Sequence, residues 1–209
     1  HLKDYSLSLF EADWLNNLKK ETFARLKTQS IPSKKDEEWR YTNIKPLIQK
    51  CFELAAKNSI SNLKKDKPFI QKHSDNNIFI YYADGHFCFM DNLPSYIKTL
   101  RTSEDQMIFQ TLLNYDVEQI HTPFADLNTL MLSDVLMIET LKNQKIDATI
   151  HIIICSDVEQ NISPRLLVQL RENSSIRIFE HYLTSNSCVI NSLADINCEK
   201  NSQLDYYKI

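Results

Sequence analysis

Glycine is almost missing from this sequence. Gly85 is the single glycine among 209 residues, where roughly fifteen are ordinary at a usage of ~7%. Phosphate-binding loops of the Walker and Rossmann kinds need several glycines for close approach of the backbone, so such loops are excluded. Turns must rely instead on Asn and Asp, which tolerate left-handed backbone better than other side chains.

Membrane and disulfide signals are also missing. No run of 18 apolar residues occurs, so no transmembrane helix is predicted, and the opening HLKDYSLSLF has neither the layout of a signal peptide nor an initiator Met. An odd number of cysteines without a CxxC pair predicts small buried hydrophobes in a reducing compartment, and the expected location is the cytoplasm. These residues are Cys51, Cys88, Cys155, Cys188 and Cys198.

Charge is unevenly distributed along the chain. Residues 1–100 have 16 Lys and Arg against 12 Asp and Glu, a balance of +4, whereas residues 101–209 have 8 against 15, a balance of −7. The basic stretch 57–73 is interpreted as a solvated connection, because nucleic-acid binding favours a high isoelectric point and the value here is about 6.1. Neither a nucleic-acid nor a membrane partner is expected.

The first part of the chain, residues 1–133, is predicted to be mainly helical. Ser8 and Glu11 have capping-box spacing at the start of a helix over 8–29, in which apolar residues recur at helical intervals. Further helices are predicted over 45–56, 103–114 and 124–132. An alternating apolar pattern around Asp84-Gly85 predicts a β-hairpin near 78–90.

After residue 134 the runs become short and β-branched, with a repeat of 28 residues. A shift by 28 places one alternating apolar row over another, as stacked parallel strands of a solenoid require. The same shift puts Arg177 over Asp205, Glu180 over Lys208 and Asn173 over Asn201. The aligned apolar pairs are Leu166, Val168 and Leu170 with Ala194, Ile196 and Cys198, and Ile176 and Ile178 with Leu204 and Tyr206.

A weaker earlier copy places Ala148 and Ile150 under Ile176 and Ile178. An antiparallel sandwich with a chance resemblance between copies is the alternative. Because Ile209 lies in mid-strand with no solenoid cap, the natural protein is expected to continue beyond it, and residues 134–209 are expected to be incomplete β-helix rungs.

Four phrases resemble one protein family. PSKKDEEWRYTNI (32–44) resembles the tryptophan signature of SufD-type iron–sulfur cluster assembly proteins, which is shared with the related SufB. FADLNTLMLSD (124–134) looks like that family's Phe-x-x-Leu-Asn segment, and 164–182 and 201–209 look like its β-helix rungs. Arg171 and the position after Asp134 depart from the family, which usually has glycine there.

This resemblance implies a helical N-terminal region followed by a right-handed parallel β-helix. It implies a non-catalytic scaffold subunit of a cytosolic SufBCD-type complex, with a SufB-like paralogue and a SufC-like ATPase as partners. The family's ATPase-docking region has no counterpart here, and the cluster is assembled by the wider complex, so no cofactor is assigned to this chain. A homodimer through strand edges is a further expectation.

The tryptophan signature offers a candidate recognition patch of Glu38, Trp39, Arg40 and Tyr41, since Trp, Tyr and Arg are frequent in interface hot spots. The favoured interpretation is packing, in which Trp39 and Tyr41 fix the helical region to the β-helix and Arg40 pairs with a carboxylate.

The residues that could bind a metal ion or act in acid–base catalysis are interpreted as structural. His151 and Cys155 are four residues apart on a strand, about 13 Å at ~3.3 Å per residue, too far for one metal ion. Cys188 and Cys198 are expected to be buried. Glu180-His181 could suggest acid–base work but has no partnered nucleophile. No catalytic, cofactor-binding or metal residue is therefore predicted.

Two other functions compete with the scaffold. One is a β-helix enzyme acting on polysaccharide through clustered carboxylates, and the other is a protein-binding β-solenoid unrelated to iron. The lack of an evident carboxylate pair disfavours the enzyme.

Overall fold

The computed structural model describes most of the chain, namely residues 13–44, 76–83, 85–89, 92–101, 103, 106–119, 122–156, 161–184 and 188–209. Several predictions fall outside these ranges: the Ser8–Glu11 capping box, the helix over 45–56, the basic connection 57–73, the turn residue Asp84 and Cys51.

Three α-helices occupy the predicted helical regions. They are α1 (Asp13–Leu26), α2 (Met107–Gln119) and α3 (Pro123–Leu130), and a short 3-10 helix spans Glu37–Trp39. Helix α3 begins where Thr122 Oγ1 accepts the Ala125 N–H at 3.2 Å, with proline in the first helical position. The predictions for 8–29, 103–114 and 124–132 are confirmed in type, with shifted ends.

Eleven strands are present in the described ranges. The first three are β1 (Asn77–Ala83), β2 (His86–Cys88) and β3 (Ile97–Thr99). The others are β4 (Val135–Glu139), β5 (Lys145–Ser156), β6 (Asn161–Ile162), β7 (Arg165–Leu170), β8 (Ser175–Thr184), β9 (Val189–Ile190), β10 (Leu193–Cys198) and β11 (Gln203–Lys208). Strands β1 and β2 pair antiparallel and Gly85 has φ of 85°, which confirms the predicted hairpin.

The strands form three sheets, in which strands separated by one repeat lie side by side. A five-stranded sheet has the order β11-β8-β5-β1-β2, a four-stranded sheet the order β10-β7-β4-β3, and β6 pairs with β9. The pairs β5–β8, β8–β11, β4–β7 and β7–β10 are all parallel. The antiparallel strands β2 and β3 lie at the opposite edges from β11 and β10.

The 28-residue register is confirmed residue by residue. Ile176 pairs with Leu204, and the ion pairs Arg177–Asp205 and Glu180–Lys208 form at 3.5 and 3.6 Å. The row Leu166, Val168 and Leu170 pairs with Ala194, Ile196 and Cys198. In the earlier copy Ile150 pairs with Ile178, but a register shift between Lys145 and Thr149 interrupts the pairing at Ala148.

Asparagine forms the corners between the two large sheets. Asn143, Asn173 and Asn201 have φ of 62°, 58° and 58°, the left-handed region that asparagine tolerates. Asn173 donates its side-chain amide to Asn143 Oδ1 at 2.9 Å, and Asn201 donates to Asn173 Oδ1 at 3.1 Å. The predicted Asn173–Asn201 ladder is confirmed, and Asn143 extends it by one corner. Glycine is dispensable here because asparagine adopts the same backbone geometry and adds a hydrogen bond.

Two apolar layers hold the molecule together. The first lies between the two large sheets and is formed by their inward-facing side chains, including Ile80, Ile152, Ile178, Leu136 and Val168. The second lies between the helices and the outer face of the four-stranded sheet. It contains Leu15 and Leu18 of α1, Phe109 and Leu113 of α2, and Val135, Met137 and Leu167 of the sheet.

Asp134 joins the hairpin to the start of β4. Its buried carboxylate accepts the backbone N–H groups of Phe87 at 3.0 Å, Val135 at 2.9 Å and Arg101 at 3.3 Å. Burial raises the pKa of Asp134 to about 6 although these three donors oppose the shift. Asp134 is thus a hydrogen-bonding junction between the hairpin and β4.

The fold prediction is confirmed in its coarser part, a mixed α and β chain with several sheets. The right-handed parallel β-helix stays a prediction, as does a domain division at residues 133 and 134. Strands from both sides of that division share both large sheets. Among the residues that the structure describes, no helix is long and apolar enough to cross a membrane.

Candidate functional site

A row of rings crosses the outer face of the five-stranded sheet. Phe79, His151, Phe179 and Tyr207 occupy one register position on β1, β5, β8 and β11. Their ring centroids are 4.9, 5.6 and 4.8 Å apart in that order, with interplanar angles of 15–18°. Each parallel strand places one ring on the next, so the row stacks along the direction of the backbone hydrogen bonds.

Two histidines meet beside this row. His181 lies two residues beyond Phe179 on β8, and its ring centroid is 5.3 Å from that of His151. His151 Nδ1 and His181 Nε2 are 3.0 Å apart, and His151 Nε2 is 3.0 Å from Asn77 Oδ1. Partial burial lowers the pKa of His151, and the neighbouring His181 lowers it further.

These contacts fit one tautomer of His151. With Asn77 Oδ1 as the acceptor, His151 Nε2 is assigned the proton and donates it. In the neutral ring His151 Nδ1 then has a lone pair, which accepts a hydrogen bond from His181 Nε2. The sequence prediction considered His151 only with Cys155 of its own strand, and missed a partner 30 residues away.

Glu180 lies on the opposite face of β8 from His181 and is buried in the interior. Tyr182 and Tyr206 donate their hydroxyls to the carboxylate, and Ser192 Oγ donates at 2.8 Å. Burial raises the pKa of both tyrosines, and their hydrogen bonds to Glu180 raise it further. Neighbouring residues of a strand point to opposite faces, so Glu180 and His181 do not form one acid–base unit.

The cysteines do not share one environment. Cys155 is buried, as predicted, and its thiol donates to the Tyr82 carbonyl at 3.6 Å. The prediction of burial is wrong for Cys198, which is exposed, and Cys188 is only half-buried. Cys198 ends β10, which is an edge strand among the described residues, and it pairs with Leu170 of β7 on one side only.

The tryptophan segment packs on a helix. Trp39 has its ring centroid 5.3 Å from that of Phe124 in α3, so it contacts the helical layer. Tyr41 is 91% exposed, which makes the predicted packing role wrong for this residue. Arg40 lies over the Tyr41 ring at 5.7 Å, and Glu38 is exposed. The patch therefore has one packed ring, Trp39, and one exposed ring, Tyr41.

A buried ion pair under α3 was not predicted. Arg165 Nε lies 2.5 Å from Asp195 Oδ2, with side-chain exposures of 2% and 8%. Asn128 of α3 accepts from Arg165 at 3.4 Å and donates to the carbonyl oxygens of Pro164 and Asn191. The 28-residue repeat does not predict this pair, because the two residues are 30 apart and Asp195 pairs in register with Leu167 and not with Arg165.

Within the described ranges, no group of three or more His, Cys, Asp and Glu side chains is placed to hold a metal ion. The nearest approach to a chemical site is therefore the His151–His181 pair with Asn77, here named the histidine pair.

Comparison with known proteins gives a family and a relative. Residues 4–88 match the family described as the SufBD protein N-terminal region. The chain is 26% identical over 161 residues to an iron–sulfur cluster assembly SufBD family protein of Synechocystis sp.. Both matches support the SufB/SufD superfamily. They do not separate SufD from SufB.

Each of the two matches covers only part of the chain. The family match includes the tryptophan signature at 32–44 and ends before the repeats. The alignment with the Synechocystis protein covers 73% of this chain and 35% of that protein, so the chain spans about a third of the length of the curated relative it matches.

Proposed function

We propose that this chain is part of a scaffold subunit of a SufBCD-type complex for iron–sulfur cluster assembly, of the SufD type. The observation that carries the proposal is the SufBD match over residues 4–88, followed along the chain by parallel strands in the 28-residue register. Iron–sulfur cluster assembly is the role printed for the Synechocystis relative. The SufD assignment rests on the resemblance of the tryptophan segment.

The strands are proposed to continue as a right-handed parallel β-helix. The two large sheets, parallel except at strands β2 and β3, and the small β6–β9 sheet contribute side chains to one apolar cluster, and strands one repeat apart pair in register. The ladder of Asn143, Asn173 and Asn201 repeats the same corner in three successive coils. Such stacking buries each coil against the next, which a single coil could not do alone.

The proposed role is non-catalytic, with no iron–sulfur cluster resident on this chain. The strongest support is that the side chains that could carry out chemistry make structural contacts instead. Two tyrosine hydroxyls and a serine hold Glu180, and Arg165 holds Asp195. In this proposal the groups position strands, and cluster chemistry belongs to the assembled complex.

A SufB-like paralogue and a SufC-like ATPase are the proposed partners, in the cytoplasm. Contact with these partners is proposed through strand edges and sheet faces of the β-helix. A homodimer of this chain through strand edges is proposed as a secondary arrangement. The exposed Tyr41 ring is a candidate contact in the tryptophan segment.

The test is an affinity purification of the full natural gene product from its own cells, with mass spectrometry of the retained proteins. We expect a SufB-like protein and a SufC-like ATPase in stable ratio, each depleted when the bait is omitted. Recovery of the protein alone, or with unrelated partners, would contradict the scaffold proposal and favour an unrelated solenoid.

A pair of variants separates contact from folding in the same experiment. Tyr41→Ser removes an exposed ring, and Ile31→Ser removes an apolar side chain that is 53% exposed directly before the tryptophan segment. If the tryptophan segment contacts a partner through Tyr41, the first variant retains less partner and the second retains the parental amount. Equal retention by both would remove Tyr41 from the interface and leave the edges.

A further inference from the structure

The histidine pair is a hydrogen bond between two groups that can each take up a further proton. His151 Nδ1 and His181 Nε2 are 3.0 Å apart while the ring centroids are 5.3 Å apart, so the two nitrogens lie between the rings and share one hydrogen. A neutral imidazole has one donor and one acceptor nitrogen, whereas the protonated ring has two donors. The contact therefore exists only while one of the two facing nitrogens keeps its lone pair.

His151 is held in place from three sides. Its Nε2 lies 3.0 Å from Asn77 Oδ1 on β1, and its ring stacks between Phe79 and Phe179 with centroid distances of 4.9 and 5.6 Å. Turning the ring to present its other nitrogen to His181 would give up the contact with Asn77. The acceptor nitrogen that faces β8 is therefore Nδ1 of His151.

The two protons that the pair can take up have opposite effects on this bond. A first proton can enter at Nδ1 of His181, whose Nε2–H goes on donating to His151, and the bond becomes charge-assisted. A second proton must enter at the acceptor itself, Nδ1 of His151. Two N–H groups then face each other, and two cationic rings are in contact, so the hydrogen bond breaks.

We propose that the histidine pair is a proton-sensitive latch between strands β5 and β8, closed while at most one ring is cationic and opened when both are. Asn77 is the positioning residue, because it fixes the ring of His151 on the side away from the bond. The latch does not depend on the iron–sulfur role proposed above.

Neither carboxylate on the same face of the described sheet lies beside the two rings to offset a second positive charge. Arg177 is paired with Asp205 at 3.5 Å, and Asp147 lies four residues before His151, about 13 Å along the strand at ~3.3 Å per residue. By strand alternation, the titratable and charged groups on this face are His86 and Cys88 of β2, Tyr81 of β1, Lys145, Asp147 and Cys155 of β5, Arg177 of β8, and Asp205 and Tyr207 of β11.

The direction of the pH effect follows from the pKa of His151. Partial burial lowers this pKa from the ordinary histidine value of 6.5, and the neighbouring His181 lowers it further. Below pH 6.5 the unfolded chain therefore binds more protons than the folded pair. The contribution of the latch to stability is complete above pH 6.5 and is lost as the pH falls.

The first test is a double-mutant cycle on the full chain, with denaturant unfolding at pH 8 and pH 5. His151→Phe preserves the ring row, and His181→Ala removes the partner. At pH 8 we expect the two positions to be coupled by roughly two- to tenfold in the unfolding equilibrium constant, as one hydrogen bond provides. At pH 5 the coupling should vanish or change sign. No coupling at pH 8, or the same coupling at both pH values, would overturn the latch.

The second test follows the proton directly. A long-range nitrogen–proton spectrum of the imidazoles, recorded from pH 8 to 4.5, reports when Nδ1 of His151 becomes protonated. We expect this midpoint to lie at a higher pH in His181→Ala than in the parent, because the opposing N–H and charge are gone. An unchanged midpoint would contradict the proposal.

His86→Gln is the matched control for the second test. His86 faces the same side of the sheet from β2 but is opposite Ala83, four residues beyond Phe79 on β1. We expect the His151 midpoint to stay at the parental pH in this variant. A shift as large as that in His181→Ala would assign the effect to the general charge of the face and overturn the latch.

Discussion

The two large sheets share one interior but differ on their outer faces. The four-stranded sheet presents Met137 and Leu167 to a helical layer that buries them completely. At the equivalent outer positions the five-stranded sheet has the half-buried rings of His151 and Phe179. Inward-facing apolar rows build the stack in both sheets. The outward residues differ, because those of the four-stranded sheet pack under the helices and the rings of the five-stranded sheet are half-buried.

The covered face also contains charge. Arg165 and Asp195 are sealed under α3, whereas the ion pair Arg177–Asp205 on the other sheet is exposed. A buried charge without its partner is strongly destabilising, but an exposed pair contributes little. The two faces should therefore respond very differently to equivalent changes.

The largest expected effect comes from breaking the buried pair. Asp195→Ala leaves the Arg165 guanidinium uncompensated under α3 and should lower the free energy of unfolding by about 3–5 kcal/mol. Replacing both partners, Arg165→Met with Asp195→Leu, should recover most of that loss. Denaturant unfolding of the full chain measures both. A single variant as stable as the parent would show that water reaches Arg165.

The next-largest effect is expected when apolar side chains are truncated on the outer faces of the two large sheets. Leu167→Ala creates a cavity between sheet and helices and should lower the free energy of unfolding by about 3 kcal/mol. Phe179→Ala removes a half-buried ring with stacked neighbours and should lower it by only about 1 kcal/mol. The same unfolding measurement checks both, and equal losses would contradict the difference in burial between the faces.

Lys19 in α1 offers a pH-dependent test of the covered face. Burial lowers its pKa from 10.5 to about 8, and its ammonium donates to the Leu132 carbonyl at 2.6 Å. Between these two pKa values the unfolded chain binds more protons than the folded chain, so stability should rise with pH. The rise contributed by Lys19 from pH 8 to 9.5 should be about 1.5 kcal/mol.

The matched variant for this test is Lys19→Met, which removes the titrating group while retaining an unbranched side chain. It should lack the rise that the parent shows between pH 8 and 9.5, whatever its stability at pH 8. An identical pH profile in parent and variant would show that Lys19 titrates normally.

The smallest effect is expected at the corner that both faces share. Asn173→Ala places a Cβ without a hydrogen-bonding group at φ of 58° and should lower the free energy of unfolding by about 1 kcal/mol. Asn173→Gly tolerates that backbone geometry and should lower it less. Unfolding curves of the two variants show how much of the lost free energy of unfolding comes from the backbone geometry and how much from the ladder hydrogen bonds. Equal losses in the two variants, which both lack the side-chain amide, would assign the effect to the ladder.

Much of the strand architecture was predictable because its signals are local and periodic. Alternation identified the inward rows around Ile176 and Ile178, and the 28-residue shift gave their partners. The short helix predicted over 124–132 is present, although the prediction did not include its cap at Thr122. The ends of α2 differed because helical propensity varies smoothly along the chain and specifies a boundary poorly.

The site residues were harder to predict because their partners lie in neighbouring coils. The separation of His151 from His181 and of Arg165 from Asp195 is 30 residues, and both pairs differ by two from direct register. A shift of 28 aligns backbone positions but does not show which diagonal side chains meet. The exposure of Cys198 and Tyr41 likewise depended on which elements cover them.

The sequence by itself determined the strand rows, their parallel register and the asparagine corners, since alternation, repeat length and left-handed tolerance are properties of short segments. Only the tertiary structure decided which outer face the helices cover, which charges become buried and that His151 lies beside His181. Those outcomes depend on contacts between segments far apart in the chain, where packing and desolvation act on pairs that no local pattern specifies.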